Sequence, residues 1–137
     1  VREIKVRGYS VEKLCADSQW VEGFGVLKSE LTNGNTDYIL FTPHGNYEVH
    51  GDSVGQYTGF DDKYGNDIYE GDIVHSLIPY YTGVGSIIDY DDRYYKVIWK
   101  NSGFCLESKH GLFADFDELI EPSVVGNIYE NPDLINA

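Results

Sequence analysis

The sequence predicts a mostly β, antiparallel single domain spanning residues 1–137, barrel-like or sandwich-like, with one to three short helices. Three observations carry that reading. Apolar residues recur with period two along short segments. Gly, Asn, Asp and Pro punctuate those segments at close intervals. Capped, helix-periodic stretches are scarce.

Taken in order, "REIKVRG" (2–8) alternates, with Ile4 and Val6 on one face and Glu3, Lys5 and Arg7 on the other. "WVEGFGVLK" (20–28) reads as a strand in which Gly23 and Gly25 mark a bulge or a close backbone approach. "LTNGNTDYILF" (31–41) contains Asn33-Gly34, the dipeptide of a type I′ hairpin turn. "NYEVHG" (46–51) is a short strand ended by Gly51-Asp52.

"GDIVHSLI" (71–78) is rich in β-branched residues and stops at Pro79. "GVGSIIDYDDRYYKVIWK" (83–100) reads as a hairpin turning near Asp91-Asp92-Arg93. "GFCLES" (103–108) adds a strand after Asn101-Ser102-Gly103, and "SVVGNIY" (123–129) is the last. Helical signals are confined to three places. These are "SVEKLCA" (10–16) with Ser10 as cap, "FDELIEP" (116–122) ending before Pro122, and "NPDLI" with Pro132 in its first turn. The count is roughly seven to nine strands.

Composition narrows the function classes. Apolar residues make up 42% and aromatics 15% of the chain, enough for a core despite a net charge of −13. With 10 basic against 23 acidic residues, the molecule repels nucleic acid and anionic membrane, so neither is an expected partner. The basic residues of "REIKVR" and "YYKVIWK" alternate with apolar ones, as on a strand's solvent face. Cys15 and Cys105 form no secretory framework and read as cytosolic thiols, although one disulfide between them is geometrically possible. No signal peptide, lipidation motif or apolar run approaching about 18 residues is seen, and a cytoplasmic location is expected.

"VGQYTGFDDKYGNDIYEGDIV" (54–74) raises the sharpest chemical question. It is no Walker loop, because no Gly-Lys pair follows Gly55 and Gly59, and Asp61 and Asp62 would repel an anion. Gly23-x-Gly25 and Gly83-x-Gly85 lack the third glycine and the helix of a dinucleotide site. Asp61, Asp62, Asn66 and Asp67 are oxygen donors, but Lys63 and Gly65 occupy calcium-loop ligand positions. The competing reading is a solvated turn whose aspartates bond their own backbone, and "DYDD" (89–92) reads the same way.

His44, His50, His75 and His110 have no zinc spacing, so no metal ligand set and no cofactor is expected. A triad of Cys105, His110 and Asp115 rests only on sequence proximity. No catalytic residue is assigned. Tyrosines crowd the middle of the chain, and "IPYYTGVG" (78–85) presents Tyr80 and Tyr81 between Pro79 and Gly83 as a contact loop.

"REIKVRGY" (2–9), "VGQYTGFDDKYGNDIYEGDIV" (54–74) and "VVGNIYENPDLI" (124–135) together resemble, in this order, the three blocks of the YopX-like family of phage and prophage proteins. Val6 stands where that family often has an aromatic, and Phe60, Asp61 and Tyr64 replace Leu, Lys and Asn. The resemblance implies a mostly β, barrel-like domain working in a bacterial host's cytoplasm, and it implies no reaction. The expectation is a non-catalytic accessory protein that binds a host or phage protein or forms a homo-oligomer. Tyr57, Tyr69, Glu70, Tyr80 and Tyr81 are its candidate contact surface. One alternative is an acidic mimic of DNA that inhibits a host nucleic-acid enzyme. Another, ranked last, is a divalent-metal enzyme using Asp61, Asp62 or Asp67.

Overall fold

A computed structural model describes residues 3–81, 83 and 85–136, and at 80, 81, 87 and 88 it describes the backbone alone. Among the described residues, twelve strands and three short 3-10 turns make up the regular structure. The strands form three antiparallel sheets, and no barrel closes among the described residues. The chain divides into two compact units, Val1–Gly59 and Phe60–Ala137.

In the first unit, β1 (Val6–Tyr9) pairs with β2 (Trp20–Gly23) and with the start of β6 (Gly55–Asp61). A second sheet runs β3 (Gly25–Glu30), β4 (Thr36–Thr42), β5 (Gly45–Val49). Val6, Val21, Leu40 and Val49 form the core, flanked by Leu14, Val26, Tyr38, Tyr47 and Val54. The expected single strand over 20–28 is two strands broken at Phe24. At the break, a Cβ on Gly23 would lie 2.1 Å from the Phe41 carbonyl oxygen, so only glycine lets the backbones approach.

Two local expectations fail here for identifiable reasons. Residues 10–16 form no helix. Ser10 instead bridges Val49, its hydroxyl donates to Glu12 O at 2.7 Å, and Gln19's side chain holds Leu14 N and Glu12 O. The Asn33-Gly34 turn is not type I′, because only Gly34 has positive φ (+86°). It is a three-residue loop with the glycine in the left-handed position. Leu31 N donates to Asn35 O at 2.8 Å, and Asn33 Oδ1 accepts from Asn35 N at 3.0 Å. The type I′ geometry falls at Asn101 and Ser102, with φ of 52° and 65°, between paired Lys100 and Gly103.

The second unit contains β7 (Asp67–Tyr69) and a five-stranded sheet. Its order is β11 (Phe113–Ala114), β10 (Gly103–Ser108), β9 (Ile87–Lys100), β8 (Asp72–Tyr81), β12 (Ile120–Asn127). Alternate residues Tyr95 and Val97 of β9 point to one face, where they meet Ile68, Val74 and Leu106. The 3-10 turns at Phe116–Glu118 and Pro132–Asn136 match two expected helices, while the third lies at Gly51–Ser53.

The hairpin expected at Asp91-Asp92-Arg93 is instead one unbroken strand. Asp91 pairs with Ile78 and Asp92 with Leu77, so β8 runs through Pro79. β10 pairs with β9 only as far as Tyr95, and β12 pairs with β8 only as far as Leu77. Beyond those points, among the described residues, β8 and β9 pair only with each other, and Asp89, Tyr90, Asp91 and Asp92 are exposed. That is where aspartates and an edge proline are tolerated in a strand.

Candidate functional site

The central block builds its turn around one carboxylate. After β6 the chain reverses at Asp62–Asn66, where Asp62 N donates to Asn66 O at 2.8 Å and Gly65 takes φ +80°. Asp62 is 7% exposed. Its Oδ1 accepts from Tyr64 N and Asn66 N, both at 2.9 Å. Its Oδ2 accepts from Asn66 Nδ2 at 3.3 Å and from Val124 N at 3.0 Å. Burial pushes this carboxyl up, but the bonds from Val124, Asn66 and Tyr64 outweigh it and hold Asp62 below its ordinary value of 3.8.

The same turn grips β12 a second time, where Lys63 N donates to Pro122 O at 2.8 Å. β12 needs that grip because its register slips between Ile120 and Ser123, and Glu121 sits at φ +48°. Across the slip, the buried Ser76 hydroxyl accepts from Ile120 N at 3.0 Å and contacts Ile120 O at 3.1 Å. At the end of the block, Asp72 Oδ2 accepts from Tyr69 N at 2.7 Å, and Gly71 O accepts from Ile128 N at 2.8 Å. The dense Asp and Gly of 54–74 therefore organise backbone. Asp61 is exposed and Asp67 half-buried. Among the described residues, no group of three or more His, Cys, Asp or Glu side chains is placed to share a metal ion.

The expected contact residues fall in both units. Tyr57 belongs to the first unit, half-buried, with the Lys5 ammonium 4.5 Å from its ring centre. Tyr69 corrects the expectation outright, since at 4% exposure it packs inside the second unit beside the Asp72 turn. Glu70 is half-buried in that turn. Tyr80 and Tyr81 continue β8, and their side chains lie outside the described residues.

The paper triad also separates. Cys105 and Asp115 line a depression of about 410 Å³ with Lys100, Phe104 and Phe113. His110 lines a different cleft of about 350 Å³, with Asp92, Arg93, Tyr94, Lys109 and Ile135. Burial raises the Cys105 thiol above its ordinary 9.0, with Asp115 and Glu107 adding to the rise and Lys100 opposing it. Sequence reasoning missed the pairing of His75 Nε2 with Asp92 Oδ1 at 2.8 Å. The signal for it is strand register. Once His75 pairs with Tyr94, Asp92 is its diagonal neighbour.

Comparison with known proteins agrees with this layout. The family model for YopX protein matches residues 9–136. The chain belongs to the YopX family. The match takes in the two blocks that Asp62, Lys63 and Gly71 stitch together, and it begins at the last residue of the N-terminal block. In three dimensions, this YopX-family chain is similar to the crystal structure of protein EF1440 from Enterococcus faecalis. The TM-score is 0.52 at 19% identity, covering 98% of this chain and 99% of that one. That likeness is one of fold. No curated protein matches the chain in sequence. Among the described residues no helix is long and apolar enough to cross a membrane.

Proposed function

We propose that this YopX-family protein is a non-catalytic phage or prophage accessory protein, working in the host cytoplasm by binding another protein or a second copy of itself. The observation that supports it is the end of the β9–β10 hairpin. Trp99, beside that turn, stands 53% exposed, and Phe113, on neighbouring β11, stands 48% exposed on the other face of the sheet. Each is held by a neighbour, Trp99 edge-on to Phe104 at 4.8 Å and Phe113 under the Lys100 ammonium at 3.8 Å. Exposed aromatics whose rotamers are already fixed lose little entropy on docking, which is the character of interface anchors. Of the carboxylates that prompted a metal reading, Asp62 already accepts from the backbone N–H groups of Tyr64, Asn66 and Val124.

The test is capture from host lysate with tagged protein, run beside Trp99→Ala and Phe113→Ala. A saturable partner should be recovered with wild type and lost with the variants, whose melting curves should be unchanged. Capture by both variants equal to that of wild type overturns the role of this hairpin. A wild-type chain that captures nothing and stays monomeric in light scattering overturns the binding reading.

A further inference from the structure

The second sheet of the first unit ends in an open strand. β3 borders β4 on one side, and among the described residues no strand pairs with its other side. Leu31 N donates to Asn35 O, and Leu31 O accepts from Gly34 N, so the backbone groups of Leu31 point inward toward β4. Strand alternation then turns those of Ser29 and Leu27 inward as well, and those of Lys28 and Glu30 outward. The side chains along this edge are Leu27 (54% exposed), exposed Lys28, Ser29, exposed Glu30 and Leu31 (42% exposed).

"LKSEL" is self-complementary when read against itself antiparallel. With Ser29 opposite Ser29 of a second copy, Lys28 faces Glu30 twice and Leu27 faces Leu31 twice. The register is also correct for the backbone. The outward groups of Lys28 and Glu30 become the hydrogen-bonded pairs, and Ser29 sits at a non-bonded position. Lys28 and Glu30 project to one face and the four leucines to the other. Each cross-strand ion pair or apolar pair adds modestly, and two-fold symmetry doubles every one of them.

We propose that this protein self-associates as a two-fold dimer through antiparallel pairing of β3 edges, centred on Ser29, with Lys28 bonded to Glu30 of the second copy. The proposal rests on the self-association arm of the binding reading above. A single strand pair buries little area, so the dimer is a weak one that forms with rising concentration.

Sedimentation equilibrium over a range of concentrations tests it, using wild type, Lys28→Glu, Glu30→Lys and the double exchange. Each single reversal places like charges opposite one another twice and should weaken the dimer by about tenfold or more. The double exchange restores opposite pairs and should restore the dimer. An equimolar mixture of the two single variants should form a heterodimer. One variant then carries only acidic side chains at positions 28 and 30, and the other only basic ones. Both substitutions are at exposed positions, and matching melting curves verify folding. A wild-type dimer indifferent to every one of these exchanges overturns the β3 edge while leaving self-association standing. A wild-type monomer at every concentration overturns self-association, and lysate capture then decides the binding reading alone.

Discussion

Replacing Asp62 by alanine removes the acceptor for four N–H donors at 2.9, 2.9, 3.0 and 3.3 Å. Bonds to a charged group are worth about 1.5–3 kcal/mol each in isolation, but the three donors on Tyr64 and Asn66 can reach water once the turn loosens. Val124 N lies across the turn on β12 and is the donor left stranded. We expect a loss of about 3 kcal/mol, and roughly 2 kcal/mol for Asp62→Asn, whose amide can accept on one oxygen only. For a chain of this size that corresponds to a melting shift of roughly 10 °C for the alanine variant.

The assay is urea and thermal unfolding followed by near-ultraviolet circular dichroism, with exposed Asp91→Asn as reference. The pH dependence has a definite sign. Asp62 is held below 3.8 in the folded chain, so between the two values the unfolded chain binds more protons. Its stabilisation is complete above the unfolded value and disappears as pH falls through the folded one. The variants should therefore lose that acid-limb contribution and converge with wild type at the acid end. An Asp62→Ala protein as stable at pH 7 as Asp91→Asn would refute the idea that this carboxylate organises the unit.

Ser102→Gly should stabilise by about 0.5–1 kcal/mol in the same unfolding assay, because Ser102 holds φ 65° in a type I′ turn where glycine meets no Cβ penalty. Gly23→Ala should destabilise by about 2 kcal/mol or more, since its Cβ would meet the Phe41 carbonyl oxygen at 2.1 Å and backbone cannot yield easily. In iodoacetamide labelling at pH 8, exposed Cys15 should react first and half-buried Cys105 more slowly, because its raised thiol supplies less thiolate.

What could be read from the sequence followed the range of the interaction. Strands with one buried face announced themselves through alternation, and Gly34 and Gly65 marked two loops in which the glycine alone takes positive φ. The Asp-Asp of 91–92 misled because local turn preference was weighed without knowing the pairing. Only the partner lengths of β10 and β12 show that this stretch is a two-stranded ribbon in which the aspartates are exposed. Ser10 misled similarly, its hydroxyl held by Glu12 O and its backbone engaged in a bridge to Val49, far along the chain. At the candidate site, the self-bonded aspartate turn was legible at Asp62, whereas its reach to Val124 and the burial of Tyr69 were not. No spacing rule encodes a contact between residues 62 positions apart.

That separation has a kinetic meaning for a chain made from its N-terminus. The turn at Asp62–Asn66 emerges from the ribosome early, yet its carboxylate cannot complete its partners until Val124 has been synthesised. Until then β8 lacks β12 along one side, and the Ser76 hydroxyl lacks Ile120. A chain cut short before β12 would leave the β8 edge open and the Asp62 carboxylate short of one of its four donors, and an open edge of that kind invites pairing with other chains and proteolysis.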